Sequence, residues 1–120
     1  MSTKKSRLRQ FSKHTRRDEE VRSFCGELIE RYRPFKITLF GSHALGTARD
    51  DSDVDILLEM EQFDSALGMA ATIVRETKPG FAADILVRTP RQVKERIQMG
   101  DPFMIEIVNS GKVIYETADR

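Results

Sequence analysis

FGSHALGTARDDSDVDILL, residues 40–58, is the stretch on which the chain turns. A Gly41-Ser42 turn follows an apolar run, and ten residues after the serine Asp53-Val54-Asp55 opens a second apolar run. Side chains at i and i+2 of a strand point the same way, so Asp53 and Asp55 are expected on one face, a few ångströms apart. Two like charges that close repel unless a cation neutralises them or one takes a proton. Oxygen-only donors at that spacing suit Mg²⁺, which binds through one or two carboxylates and fills its shell with water and substrate phosphates. A tight Gly-Ser turn beside them brings backbone N–H groups up to a phosphate. The segment reads as a site for a metal–nucleotide complex.

Working outward, a helix is expected from Asp18, because Val21, Phe24, Cys25, Leu28, Ile29 and Tyr32 fall on one helical stripe that Pro34 stops. Ile37 to Phe40 reads as a short buried strand, and Ser42 as the cap of a short helix reaching about Thr47. Val54 to Met60 is the second strand. Phe63, Ala66, Leu67, Ala70, Ile73 and Val74 form the next helical stripe, closed by Lys78-Pro79-Gly80. Phe81 to Val87 is a third strand. Thr89-Pro90 and Asp101-Pro102 each pair an N-cap with a proline at the first helical position, so two short helices follow. The second has Phe103, Met104, Ile107 and Val108 as its apolar face, and Lys112 to Tyr115 forms the last strand. The order α-β-α-β-α-β-α-α-β predicts an α+β fold, helices packed on a small mixed β-sheet.

The chain has 120 residues, one domain by length. Residues 1–17 hold seven of the 20 Lys and Arg and no acid, leaving 13 basic against 19 acidic residues beyond them. The reading is therefore a basic arm, expected to be disordered, followed by a single acidic domain over 18–120. Nucleic-acid binding is confined to that arm. No membrane span or signal peptide is seen, and a lone cysteine, Cys25, suits a reducing cytoplasm.

Gly-Ser, ten residues, then Asp-x-Asp resembles the nucleotidyltransferase superfamily that includes DNA polymerase beta. The short length places the chain near its minimal nucleotidyltransferases, the antitoxin-type partners of HEPN-domain toxins. The motif covers Gly41 to Asp55, and a weaker likeness runs through Phe81 to Arg88 and Asp101 to Glu116. Members often carry Arg where this chain has Leu45, which removes one phosphate contact. The resemblance implies a polymerase beta-like nucleotidyltransferase fold and a third strand-borne carboxylate. Asp84, in FAADILV, is the only acidic residue between Glu76 and Glu95.

A charge in so apolar a strand costs several kcal/mol, on the order of the penalty for an uncompensated buried ion, unless it is paired or liganded. If the strands carrying Asp53 and Asp84 are neighbours, three carboxylates meet, as a two-metal nucleotidyl transfer needs. Asp53 and Asp55 would bridge two Mg²⁺ ions, and Asp84 would hold the second and accept the proton of the attacking hydroxyl. Gly41 and Ser42 would receive phosphates of ATP or another NTP, with Arg49 either touching the triphosphate or balancing local charge. For Asp50 and Asp51 a solvated acidic loop is the better reading. A calcium loop from Asp51 fits poorly, its sixth and twelfth positions being Ile56 and Gln62. The plain alternative for Asp84 is an edge-strand charge that deters aggregation. His43 is read as a surface histidine with no role.

The expected function is Mg²⁺-dependent transfer of a nucleoside monophosphate, AMP from ATP, onto a hydroxyl. Nine short elements leave no stretch for an acceptor-gripping domain, so the acceptor is expected to be a partner, and the resemblance implies a tyrosine of a HEPN toxin. The alternative is a non-catalytic nucleotide-binding module that neutralises a HEPN partner by complex formation alone.

Overall fold

The computed structural model describes residues 16–49, 52–61 and 63–117. Most of the basic arm, the Asp50-Asp51 pair and Gln62 lie outside them. Nine elements follow in the expected order: α1 (Arg16–Tyr32), β1 (Lys36–Phe40), α2 (Ser42–Leu45), β2 (Val54–Glu59), α3 (Ala66–Thr77), β3 (Ala83–Arg88), α4 (Pro90–Gln98), α5 (Pro102–Ser110) and β4 (Lys112–Glu116). The four strands form one mixed sheet in the order β3-β2-β1-β4. β1 is antiparallel to β2 and β4, while β2 and β3 run parallel, joined by the α3 crossover.

Strand alternation divides the sheet into two faces. Ile37 and Leu39 of β1, Val54, Ile56 and Leu58 of β2, and Ile85 and Val87 of β3 pack into one cluster with Val21, Phe24, Cys25 and Leu28 of α1 and Ile73 of α3. This is the main core, and the α1 stripe enters it as its periodicity requires. Cys25 is fully buried, and desolvation pushes its thiol up to about 12, which makes it a packing group. Leu57 faces the opposite way and meets Val93 of α4 with Met104 and Ile107 of α5, and Phe40 and Leu86 pack against this smaller cluster. The Asp53-Asp55 face is therefore the face that α4 and α5 only partly cover.

The helix ends follow their local chemistry. Thr89 and Gln92 form a reciprocal capping box at α4, with Pro90 inside it. The Asp101 carboxylate accepts from the N–H of Phe103 at 3.0 Å and caps α5. At α3 the cap is Ser65, whose hydroxyl oxygen accepts from the N–H of Gly68 at 2.9 Å.

Four expectations need correction. Ser42 does not cap α2. Gly41 is the N-cap residue, no side chain caps that end, and the helix stops at Leu45 with Gly46 in the left-handed region. On α3, Leu67 is 84% exposed and Val74 is also exposed, because the face turned to the sheet is Ala66, Met69, Ala70 and Ile73. On α5, Met104 and Ile107 are buried but Phe103 and Val108 are exposed. β3 also begins two residues later than expected. Phe81 lies ahead of it and packs edge-on against Phe24 at 5.5 Å, with the Arg17 guanidinium over its ring.

Candidate active site

β1, β2 and β3 bring the acidic residues together at one end of the sheet. Asp55 is the second residue of β2 and is paired in register with Phe40, the last of β1, and with Asp84, the second of β3. Residues paired across neighbouring strands stand about 5 Å apart with side chains on the same face. Asp53 lies two residues before Asp55, just ahead of β2, and its charge acts on Asp55. The strands carrying Asp53 and Asp84 are thus neighbours, the condition on which the sequence argument depended. β3 is also an edge strand and Asp84 is exposed, so the anti-aggregation reading of that charge describes its position equally well.

The electrostatics register this crowding. The Asp55 carboxyl is half-buried and its pKa is raised, first by desolvation, then by the charge of Asp84, then by Asp53, with His43 pulling the other way. One group therefore feels both other acids. Among the described residues no three His, Cys, Asp or Glu side chains are drawn close enough to hold a metal ion as they stand. The donors nonetheless suit a hard divalent cation, since all three are carboxylate oxygens and their repulsion around Asp55 is what such an ion would relieve.

Gly41 has φ 76° and ψ −154°, a conformation that only glycine adopts readily. It is needed for a second reason as well, because a Cβ at this position would run into the Asp55 carboxylate. The glycine lets the turn pass directly beside the acid. Ser42 follows as the first residue of α2, and the carbonyl of Gly41 accepts from the N–H groups of Ala44 and Leu45, both at 3.1 Å. The N–H groups of Ser42 and His43, the first two of α2, have no acceptor within the helix, so the turn presents donors next to Asp55. Arg49 is exposed. Its backbone N–H donates to the Ser52 hydroxyl at 2.8 Å and the Ser52 N–H returns to the Arg49 carbonyl at 3.0 Å, closing the loop that leads into Asp53.

His43 has a place that its sequence context did not suggest. It is half-buried, its charge acts on Asp55, and its Nε2 lies 3.4 Å from the Ser52 carbonyl. It therefore bridges α2 and the loop before the acidic pair. The available signal was its position directly after Ser42, in the same turn.

A four-stranded mixed sheet with an acidic pair at the start of an inner strand, a third acid on its parallel neighbour and a glycine turn against Asp55 is the arrangement of a nucleotide-transfer class of proteins. A family model described as a nucleotidyltransferase domain matches residues 19–116, and the chain belongs to that family. It is a nucleotidyltransferase by fold and family. It is 49% identical over 41 residues to the protein adenylyltransferase MntA of Thermococcus cleftensis, a match covering 34% of this chain and 41% of that protein. It is 27% identical over 101 residues to a putative protein adenylyltransferase of Methanocaldococcus jannaschii, covering 82% of this chain and 97% of that one. Among solved structures it is similar to a crystal structure of a toxin–antitoxin with AMP-PNP, with TM-score 0.51, 19% identity, and coverage of 81% and 74% of the two chains. That likeness shows the fold. No helix among the described residues is long and apolar enough to cross a membrane.

Proposed function

We propose that this domain, residues 18–120, transfers AMP from ATP to a hydroxyl of a protein partner, a tyrosine of a HEPN-domain toxin, and acts as its antitoxin in the cytoplasm. The observation that carries the reading is the register of Asp55 with Asp84 beside the Gly41-Ser42 turn. It supports a site in which the N–H groups of the turn would receive phosphates beside Asp55, with Asp84 alongside. The two protein adenylyltransferase relatives and the toxin–antitoxin structure with AMP-PNP support the choice of a protein acceptor and of an adenine nucleotide.

In this mechanism the turn at Gly41 and Ser42 receives the triphosphate, with Arg49 at its edge. Asp53, Asp55 and Asp84 would hold Mg²⁺. When bound, the ions supply charge neutralisation on the phosphates and a lowered pKa at the attacking hydroxyl. The acceptor oxygen attacks the α phosphorus, a new P–O bond forms, and the bond to the bridging oxygen breaks to release pyrophosphate. The hydroxyl proton passes to Asp84, which like Asp53 is exposed. Asp55, half-buried beside Gly41, stands between the turn and Asp84.

The test is incubation with labelled ATP, Mg²⁺ and the product of the neighbouring reading frame. Label should move to that protein, and Asp53→Asn should abolish the transfer. A tight complex that forms without label, and is unchanged by Asp53→Asn, would establish a non-catalytic binder instead. Leu45 is the feature that favours that second reading, since it is 58% exposed on α2 where relatives in this superfamily often place Arg.

A further inference from the structure

Phe103 is the first large side chain of α5, and the residue is 56% exposed. Its one recorded aromatic contact is with Phe40, edge-on, with ring centroids 6.0 Å apart. Phe40 is the register partner of Asp55, so its side chain stands on the same face as the carboxylates. The Asp101 cap and Pro102 hold the start of α5 in place. An open aromatic ring, backed by a second ring, therefore flanks the acidic set one strand away.

We infer that Phe103 is the platform on which the nucleobase of the bound nucleoside triphosphate stacks. The inference rests on the transfer reading above and adds to it the residue that grips the base. Aromatic rings are the usual partners of base faces, and stacking needs a ring with one side free. The separation also suits a base. The ring lies one strand and one 6.0 Å ring–ring contact from Asp55, on the scale of a nucleotide from phosphates through ribose to base, whereas an acceptor ring must bring its hydroxyl up to the phosphorus itself. Such stacking accepts any base, so Phe103 supplies affinity for the nucleoside and leaves the identity of the base to other contacts.

Binding measured by titration with Mg²⁺-ATP and, separately, with Mg²⁺-tripolyphosphate, which has no base, tests this. Phe103→Ala should weaken ATP binding about tenfold or more and leave tripolyphosphate binding unchanged. Phe103→Leu keeps apolar bulk over Phe40 and should lose ATP affinity too, which separates stacking from folding. Phe103→Trp should restore it. The chain has no tryptophan, so the new indole reports directly, and its fluorescence should change with ATP and stay constant with tripolyphosphate. Wild-type ATP affinity in Phe103→Ala would overturn the platform while leaving the transfer reading intact. So would an equal loss for both ligands, or unchanged ATP affinity with transfer to the acceptor lost. A wild-type protein that binds neither ligand would overturn both.

Discussion

Gly41→Ala tests the site at its tightest point. The substitution does two things at once. It places a side chain at φ 76°, ψ −154°, where strain costs about 1–3 kcal/mol, and it drives a methyl group into the Asp55 carboxylate. Forced repacking of that kind adds about 1–3 kcal/mol. Together they should lower stability by about 2 kcal/mol or more, a fall of roughly 6 °C or more in melting temperature for a domain this size. Urea denaturation of four proteins measures the parts: wild type, Gly41→Ala, Asp55→Ala and the double variant. In the Asp55→Ala background the clash is gone and only the backbone cost remains. The two substitutions should therefore couple by about 0.5 kcal/mol or more, with Gly41→Ala less costly when Asp55 is absent. Equal costs in the two backgrounds, or a Gly41→Ala protein as stable as wild type, would refute the claim that the turn is shaped around this carboxylate.

Asp55→Asn should abolish transfer yet stabilise the metal-free protein at neutral pH. The folded state raises the Asp55 pKa, so the ionised form is disfavoured on folding. The wild-type deficit is absent below the unfolded carboxylate pKa and is complete above the folded one. Melting curves in EDTA across that window should converge with the wild type in acid and diverge above it. Leu57→Ala empties a position only 1% exposed between β2 and the α4/α5 layer. Chemical denaturation should show a loss of about 2–5 kcal/mol. Thr89→Ala removes the hydroxyl half of the α4 capping box and should cost about 1 kcal/mol in the same assay.

The element order was legible because punctuation and periodicity agreed. Pro34, Lys78-Pro79-Gly80, Thr89-Pro90 and Asp101-Pro102 each ended or began an element where expected. Amphipathic faces were harder where apolar residues occupy more than one side of a helix. On α3, Leu67 and Val74 outrank Ala66 and Ala70 in hydropathy, yet the close crossover favours the small residues against the sheet. Ser42 looked like a cap because serine is a good one, but the strained turn needed beside Asp55 put Gly41 there. The acidic pair and the turn could be found from spacing alone. Whether Asp84 joins them depends on which strands are neighbours, and only the parallel register of β2 and β3 answers that. Phe103 was read as core and stands open instead, beside the acids.

The α3 crossover has a bearing on how the domain comes into being. Gly41, Asp53 and Asp55 are close in sequence and belong to one antiparallel pair, while Asp84 arrives on a parallel strand 29 residues after Asp55. Parallel pairing through a helix is a non-local step, slow relative to closing β1 on β2. A nascent chain can thus form the Gly41 turn before the last acid docks, and the repulsion at Asp55 grows in that final step. Any cation or nucleotide that relieves it acts on the finished protein and not on its precursors, so such ligands should slow unfolding more than they speed folding.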